Sequence, residues 1–599
     1  MSAPRDDPAF GARNHDRLAD PHGCGTDTPG VLEVCEGVLV EHGALDRCVS
    51  IEPRRREDQH ADLRLLFADR SWLQSQAGSE LVSAFAQHPA LASAKRHKAA
   101  IVLRFEDRVL ATLEQLLAAG HVVGMKTAHL LDGDRFTVGI VGPNTNKALH
   151  VGHLRNIFVG QALASAMASA GAAVERHNLI GDIGRRVCEA MAGYMVNHPG
   201  ESPQLAGLAG DRFVEICCRD FAAESSVVQT APASEPNAEE TESRGDVAEE
   251  IMRAWLRGAE PERALWRRMR AWALEGHERT LARLGLRMDR HDFESDGLRR
   301  ALALIAEGVQ SGLFEREPSG AVVYRTGRSE YTTMVLLRGD GAPTEYARLL
   351  GVYHQMYQDL PPAGVYVEVV GIEWQPAMSV LSELLTRLLR TSTDERFTWA
   401  FHGSVTVGGQ KMGSSTGQVK WIDDLLEEVA RGPTVATLHE LAGDAATREQ
   451  LADLLVRAAF LCSDTLEPFA FSYDRLLEDR SGPGWTIAEA WCRAQHARAP
   501  QTAVPVNRTA LVQSQLYPRA LQRAAAKRDA AGLASYLLSL AEACLAAPTP
   551  GPAAARILGT VLGALGFPLA NRQVQVANEG GSVHAIQAGA RRTETETAA

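Results

Sequence analysis

Lysine is scarce in this chain. Only seven of the 62 basic residues are lysines, so arginine fills almost every position where any cation would serve. A lysine that stands within a motif therefore calls for a specific reason. Lys147 and Lys411 are two such residues.

Cysteine pairs and long apolar runs are also missing. The nine cysteines include no C-x-x-C pair, which argues against a zinc knuckle or a disulfide framework, and no metal site is predicted. No apolar run approaches the roughly 20 residues of a membrane span, and the start of the chain lacks the form of a signal peptide. We therefore expect a cytoplasmic protein with no membrane partner. The net charge of −12 argues against wholesale coating of nucleic acid but leaves room for a local basic face.

Composition and periodicity divide the 599 residues into five segments. Pro, Gly, Asp and Arg dominate the start, and an Ala/Glu/Ser/Pro stretch interrupts the centre. We predict a disordered extension over 1–55, a small α+β domain over 56–130, an α/β domain over 131–430 with a disordered insertion over 222–247, a helical domain over 431–585, and a disordered tail over 586–599.

The α/β domain opens with a strand–helix–strand pattern. Residues 136–142 have the composition of a buried strand, a helix is predicted from about 152 to 170, and a second strand covers about 174–180. This βαβ unit predicts an open parallel sheet with helices on both faces. Strand-like residues 334–337 and 365–370 are predicted to continue the same sheet.

The loop after the first strand contains the most specific motif, Pro143–His153 (PNTNKALHVGH). Open α/β sheets bind ligands at this edge, and the helix amino terminus attracts phosphate. Gly152 leaves room for an adenine or a ribose. His150 and His153 can donate to phosphoryl oxygens, and Lys147 adds a full positive charge.

This motif resembles the HIGH signature of class I aminoacyl-tRNA synthetases, and its longer pattern, which runs on into Leu154 and Arg155, resembles the arginyl branch. Far downstream, Gly409–Gly417 (GQKMGSSTG) resembles the KMSKS loop that closes over ATP. Lys411 matches that loop, but serines stand where its second lysine is expected. The resemblance implies that Lys147 takes over this charge. The implied catalytic residues are Lys147, His150, His153 and Lys411, and the implied ATP contacts are Asn144, Gly152, Gly371, Met412, Ser414 and Ser415.

The resemblance covers about residues 60–585 and is strongest over 136–430. It implies a Rossmann-type catalytic domain with a parallel sheet, a small α+β N-terminal domain that touches the tRNA elbow, and an all-α C-terminal domain like those that bind the anticodon. It further implies ATP with Mg²⁺ as its counter-ion, an amino acid and tRNA as partners, and a monomer.

The implied amino-acid pocket departs from the family. Arginyl enzymes read the guanidinium with an acid in the strand before the first motif, a Tyr and an Asp on a later helix, and a Gln after a later strand. These positions hold Gly139, Glu345, Leu349 and Trp374 here, and only Asn144, which holds the α-amino or carboxylate group, is retained.

A guanidinium has five N–H donors that need acceptors. Burying an unpaired polar group costs about 2–7 kcal/mol, and a charged group costs more. The pocket therefore predicts a less cationic amino acid, although a shift of the alignment by one or two residues would also account for the mismatch.

Three functions remain open from the sequence. The first is ATP-dependent formation of an aminoacyl-adenylate, with arginine as the nominal substrate, followed by transfer to tRNA. The second keeps the adenylation but transfers the acyl group to a small-molecule amine or alcohol, as in a tRNA-independent biosynthetic paralogue. The third is a tRNA-binding relic without catalysis, which the retained histidines and lysines oppose.

Overall fold

The computed structural model describes residues 30–53, 60–119, 130–229, 238–407, 410–411, 420–496, 507–547 and 550–568. Within them the chain forms an N-terminal α+β unit, a central α/β unit and a C-terminal helical unit. The predicted tail over 586–599 lies outside the described residues. Nowhere in the described part of the chain is a helix long and apolar enough to cross a membrane.

The N-terminal unit is a four-stranded antiparallel sheet in the order β1-β2-β4-β3 with helices packed on it. Its strands are β1 (Cys48–Pro53), β2 (Leu63–Phe67), β3 (Leu91–His97) and β4 (Ala100–Phe105), and its helices are α1 (Val31–Glu41), α2 (Arg70–Gln74), α3 (Gln76–Gln87) and α4 (Asp107–Ala118).

The prediction of disorder over 1–55 is wrong for residues 30–53, which form α1 and β1. Helix α1 buries one apolar face, which includes Val31, Cys35 and Leu39, in the core shared with the sheet. The prediction rested on the Pro, Gly, Asp and Arg content of residues 1–55, which outweighed the short apolar segment of this helix.

The central unit is built on a five-stranded parallel sheet in the order β12-β11-β5-β6-β7. The main-sheet strands are β5 (Arg135–Gly139), β6 (Ala173–Ile180), β7 (Arg290–Phe293), β11 (Gly364–Gly371) and β12 (Phe397–His402), and the helices are α5 (Leu154–Ser169), α6 (Arg185–Asn197), α7 (Pro203–Ala206), α8 (Gly210–Gln229), α9 (Ala238–Leu256), α10 (Glu260–Arg283), α11 (Glu294–Gln310), α12 (Glu345–Asp359) and α13 (Gln375–Leu389). The predicted parallel sheet is confirmed.

The strand order reverses between β5 and β11. From β5 the chain proceeds through α5 to β6 on one side, whereas β11 lies on the other side and leads on to β12. Such a switch point opens a crevice at the carboxyl ends of the two strands, where open α/β sheets bind ligands. The loop that begins at Ile140 and the segment after Gly371 therefore meet at this crevice.

The two faces of the sheet belong to different cores. Val138 and Val367 pack in the core that includes Phe158 of α5 and runs into the C-terminal helices. Tyr366 packs instead with Leu349 in the core beneath α12 and α13. Residues that alternate along β5 and β11 therefore point either to the helical unit or to the pocket side.

Two predictions for the central unit are wrong. Residues 334–337 fall in β10 (Thr333–Leu337), which pairs antiparallel with β9 (Val322–Arg325) and not with the main sheet; β8 (Glu315–Arg316) completes this small sheet. Its alternating burial belongs to a ribbon with one exposed face. The predicted disordered insertion is helical on both sides, because α8 continues to Gln229 and α9 begins at Ala238; residues 230–237 lie outside the described residues.

The C-terminal unit is almost entirely helical. It comprises α14 (Ile422–Arg431), α15 (Pro433–Ala442), α16 (Arg448–Leu461), α17 (Tyr473–Glu478), α18 (Pro483–Ala494), α19 (Arg508–Ser514), α20 (Tyr517–Lys527), α21 (Ala531–Leu545) and α22 (Pro552–Ala564). One short strand, β15 (Phe469–Phe471), pairs in parallel with β13 (Val405–Val407), which also pairs with β14 (Gln410–Lys411).

A buried arginine joins the C-terminal unit to the central unit. Arg457 of α16 is fully buried, forms an ion pair with Asp453 at 3.0 Å, and donates to the carbonyl of Leu284 at 2.8 Å and to Gln161 of α5. Removing one partner of such a pair leaves a buried charge without compensation, which costs about 3–5 kcal/mol. Helix α16 is thus part of the support for α5, the helix that follows the first motif.

Candidate functional site

The first motif crosses the crevice from β5 to α5. The backbone N–H of Gly142 donates to Asn178 Oδ1 at 3.2 Å, and Asn144 pairs with Gly181, the residue after β6. A β-carbon on Gly181 would collide with Asn144 Oδ1, so the absence of a side chain there allows the two loops to approach. Asn144 is therefore held at the carboxyl edge of the sheet.

His150 and His153 form a reciprocal cap on the turn before α5. His153 Nδ1 accepts from the backbone N–H of His150 at 3.0 Å, and His150 Nδ1 accepts from the N–H of Gly152 at 3.1 Å. The two ring centroids are 4.0 Å apart. A neutral imidazole whose Nδ1 accepts carries its proton on Nε2. Both residues therefore keep an Nε2–H donor for a ligand.

Burial keeps both imidazoles neutral. It lowers the pKa of His150 to about 3, with a smaller contribution from the charge of Lys147. The pKa of His153 also lies well below its usual range, first because of burial and then because of His150 and Lys147. Neutral rings with fixed tautomers can donate hydrogen bonds without titrating near neutral pH.

Lys147 lies between the predicted nucleotide and amino-acid sites. Its carbonyl oxygen accepts from His277 Nε2 at 2.8 Å, which fixes the backbone of the loop. Burial lowers the pKa of its ammonium group, while the carboxylates of Glu215 and Glu345 act in the opposite direction. Glu215 also accepts from the N–H of Ala148 at 3.0 Å. The lysine therefore projects into a partly buried, acidic environment.

The segment after the second motif pairs directly with the first. The N–H of Val151 donates to the carbonyl of Lys420 at 3.0 Å, and the N–H of Ile422 donates to Leu149 at 3.1 Å. Lys411 ends β14, where its backbone pairs with Thr406. The predicted contacts of Met412, Ser414 and Ser415, and of the Lys411 side chain, lie outside the described part of the structure.

Sequence reasoning missed the two residues that anchor the start of α5. Arg155 donates to the carbonyls of Gly403 at 3.2 Å and Glu467 at 2.6 Å, and Asn156 donates to the carbonyl of Val369 at 3.1 Å. These contacts join the first motif to the ends of β11 and β12 and to the base of the hairpin that carries Lys411. The only sequence signal for Arg155 was its place at the end of the longer family pattern, two residues after His153.

The predicted pocket residues converge on one side of the crevice. Glu345 and Leu349 lie one turn apart on α12, and Trp374 follows β11 with its ring 6.3 Å from that of Tyr346. Leu349 is buried. One turn further along α12, the pKa of the Tyr353 hydroxyl is raised by burial and then by nearby carboxylates that include Glu345.

Gly139, the last residue of β5, faces a carboxyl group from the neighbouring strand. Glu368 of β11 is directly in register with Gly139. A β-carbon on Gly139 would lie 2.5 Å from Glu368 Oε2 and 2.6 Å from the hydroxyl oxygen of Tyr366. Sequence reasoning did not identify Glu368 or Tyr366, because cross-strand register cannot be read from local patterns.

Gly371, a predicted ATP contact, ends β11 and pairs with His402 of β12. The side chain of Glu373 lies over Gly371. Among the described residues, no group of three or more His, Cys, Asp or Glu side chains could hold a metal ion.

The structure combines a parallel sheet that has a switch-point crevice with a histidine-capped helix start, and the β13–β14 hairpin contacts the turn that carries the histidines. This arrangement is the one expected of a catalytic domain of the class I synthetase type. Residues 112–440 match the family described as "tRNA synthetases class I (R), catalytic domain". The match spans more than half of the chain. The protein belongs to this family of ATP-dependent ligases that form aminoacyl-tRNA.

Individual relatives agree with this assignment. The arginine–tRNA ligase of Amoebophilus asiaticus is 28% identical over 68% of this chain and 73% of its own length. Those of Porphyromonas gingivalis and Phocaeicola vulgatus are 30% and 31% identical, and there the match spans only about half of each relative, 55% and 52%.

The overall fold is shared with solved structures. Thermus thermophilus arginyl-tRNA synthetase superposes with a TM-score of 0.65 at 21% identity, covering 90% of this chain and 98% of that one. Arginyl-tRNA synthetase from Plasmodium falciparum gives a TM-score of 0.58 at 12% identity, covering 92% and 98%. The predicted class I fold is confirmed.

Proposed function

We propose that this protein activates an amino acid with ATP and transfers it to tRNA, and that its preferred amino acid is less cationic than arginine. The observation that carries the first part is the pair of neutral, capped histidines at the start of α5. The amino-acid carboxylate attacks the α-phosphorus of ATP, pyrophosphate leaves, and an aminoacyl-adenylate forms. A tRNA hydroxyl then attacks the carbonyl carbon and AMP leaves.

The nucleotide chemistry is assigned to groups around the crevice. The Nε2–H donors of His150 and His153 stabilise the phosphoryl oxygens, whose charge grows in the transition state. Lys147 supplies the positive charge that the second motif lacks, because serines replace its second lysine. Lys411, on the hairpin, supplies a further positive charge to the phosphates. Gly152 leaves space for the adenosine, and Mg²⁺ accompanies the phosphates of ATP.

The amino-acid side of the proposal rests on Leu349 and Trp374. Leu349 is buried and has no polar atom in its side chain, and the Trp374 indole offers one donor and no acceptor. A guanidinium placed between them would leave donors unpaired. A neutral side chain that packs on both residues avoids this cost.

The test is formation of aminoacyl-tRNA from ATP, total tRNA and each of the twenty amino acids. We expect charging with a neutral amino acid at low salt. Charging should weaken steeply as salt rises, because each phosphate neutralised by the protein releases counterions. Adenylate formation without any charging of tRNA, at any salt concentration, would replace this proposal with transfer to a small molecule.

A deletion of the helical unit is not a suitable control. Arg457 and the apolar face of α16 pack on α5, so a chain that ends near residue 440 would lack this support and would expose the packed face of α5. Loss of activity in such a chain would report unfolding as readily as loss of tRNA binding.

A further inference from the structure

A row of polar side chains crosses the buried pocket face of the main sheet. Asp292 Oδ2 lies 3.0 Å from His177 Nε2, and His177 Nδ1 lies 3.2 Å from the hydroxyl of Tyr366, which donates to Glu368 Oε2. These residues come from β7, β6 and β11, so the row spans the sheet. Strands of a parallel sheet covered on both faces are normally apolar, so this row needs an explanation.

The row ends at the crevice. Glu368 is in register with Gly139, and its carboxyl group occupies the space that a side chain at position 139 would take. Position 139 is where the family resemblance places an acid. The acidic group is therefore present in the crevice, but it comes from β11 instead of β5.

One carboxyl oxygen of Glu368 remains available. Oε2 accepts from Tyr366, whereas no described group donates to Oε1. Oε1 is also not fully buried: it lacks a partner in the described part of the chain, but some of its surface borders accessible space. Glu368 itself is only 6% exposed. An acceptor in such a buried, low-dielectric site forms a strong hydrogen bond with a donor group of a bound ligand.

The helix above this carboxyl group is the one that carries the predicted pocket. Tyr353 of α12 has its ring centroid 6.5 Å from that of Tyr366, and the carboxylates of Glu368 and Glu345 both act on its hydroxyl. Leu349 lies one turn before Tyr353 on the same helix. Glu368 is thus enclosed by the same walls as the predicted amino-acid pocket.

We propose that Glu368 is a specificity-determining residue, whose Oε1 accepts a hydrogen bond from an N–H or O–H group at the end of the substrate's side chain. This inference rests on the proposed amino-acid activation and adds the chemical class of the side chain. Tyr366 is a positioning residue, because its hydroxyl donates to the Glu368 carboxyl group, and His177 acts on that group through Tyr366.

The test measures ATP–pyrophosphate exchange with wild-type protein and with Glu368→Leu and Glu368→Gln. The probes are L-citrulline, L-glutamine and L-arginine, whose side chains end in N–H donors, and L-methionine and L-leucine, whose side chains have none. We expect Glu368→Leu to lower kcat/KM for the best donor-bearing substrate by about 10- to 100-fold, mainly through the amino-acid KM, with the ATP KM unchanged. Glu368→Gln should lower it less, because its amide oxygen still accepts a hydrogen bond. The preference over L-methionine should disappear in Glu368→Leu. Glu307→Gln, an exposed residue of α11, is the matched control.

A second pair of variants tests the cross-strand relationship through the melting temperature and the donor preference. Gly139→Glu should lower the melting temperature, because its side chain meets the Glu368 carboxyl group and the Tyr366 hydroxyl. Combining it with Glu368→Ala should restore much of the loss and should return the donor preference, because the acid then comes from β5.

The outcomes separate this inference from the proposed function. Exchange by the wild-type protein together with an unchanged donor preference in a folded Glu368→Leu variant would overturn the role of Glu368 and leave the function intact. If no amino acid supports exchange, binding of the same five amino acids is measured by calorimetry. Binding that Glu368→Leu abolishes only for donor-bearing side chains would support the role of Glu368. No binding of any amino acid would overturn both the role of Glu368 and the proposed function. A best substrate of L-arginine that depends on Glu368 would support the inference and contradict the predicted neutral substrate.

Discussion

The Nδ1 atom of His153 accepts a hydrogen bond from the backbone N–H of His150 at 3.0 Å. This contact gives His153 two separate tasks, since Nδ1 caps the turn and Nε2–H remains for the ligand. The two tasks can be separated by substitution, because an Asn amide imitates the position of Nδ1 and a Gln amide imitates the position of Nε2.

We predict that His153→Asn leaves the melting temperature close to that of the wild type but slows adenylate formation by about 10²–10³, the usual cost of losing one preorganised transition-state contact. His153→Gln should retain more activity, because its amide can still donate from the Nε2 position. Pre-steady-state adenylate formation and thermal unfolding measure the two effects. Full activity of the Asn variant would show that His153 does not contact the nucleotide in the transition state.

Lys147 is predicted to act mainly in the transition state. Lys147→Ala should lower the rate of adenylation by about 10- to 100-fold while leaving ATP affinity nearly unchanged, because the interaction strengthens only as charge builds on the α-phosphate. Lys147→Arg, which keeps the charge, should recover part of the rate. A variant that changes only the KM for ATP would show that the lysine is a ground-state contact.

The buried histidines predict sensitivity to acid. Burial lowers the pKa of His277 to about 4 and that of His150 to about 3, against about 6.5 in an unfolded chain. Below pH 6.5 these two histidines are therefore protonated in the unfolded chain but remain neutral in the folded protein. The free energy of unfolding contributed by these groups is fully present above pH 6.5 and falls as the pH drops toward 4.

His277→Gln should reduce this acid sensitivity, since the amide still donates to the Lys147 carbonyl but does not titrate. We expect the variant to lose less stability than the wild type between pH 6.5 and pH 4.5, by on the order of 2 kcal/mol. Urea unfolding across this range measures the difference. Parallel pH profiles for the two proteins would show that His277 is not held neutral.

Much of the fold around the candidate nucleotide site was predictable from the sequence because it is local. The βαβ unit, the turn that carries His150 and His153, and the start of α5 all lie within one stretch of chain. The first family motif, Pro143–His153, falls in that stretch.

The features that were missed depend on distant contacts. Glu368 and Gly139 are far apart in sequence, and only the register of β11 against β5 brings them together. Residues 334–337 show the converse, because a strand-like pattern does not specify which sheet the strand joins. The same limit applies to Arg155, whose partners lie at the ends of other strands and in the C-terminal unit.

The structure also changes how arginine recognition could be restored. Replacing Leu349 by Asp and Trp374 by Gln supplies acceptors, but Gly139→Glu would meet the Glu368 carboxyl group. We therefore predict that Leu349→Asp, Trp374→Gln and Gly139→Glu raise arginine-dependent exchange together only when Glu368→Ala accompanies them. Each single change should do little, since the contacts act as a unit. The triple variant with Glu368 retained is the matched comparison.

The most direct measurement is ATP–pyrophosphate exchange by the unmodified protein with L-arginine, set beside L-citrulline and L-glutamine at equal concentrations. L-citrulline has nearly the shape of arginine without its charge, so the comparison isolates the cost of burying a guanidinium against Leu349 and Trp374. We predict that a neutral amino acid supports exchange with a kcat/KM at least about 10-fold above that of L-arginine, a difference of about 1.4 kcal/mol. Exchange with L-arginine at rates ordinary for a synthetase, above those of every neutral amino acid, would contradict the predicted preference for a neutral amino acid. Arginine would then be the substrate.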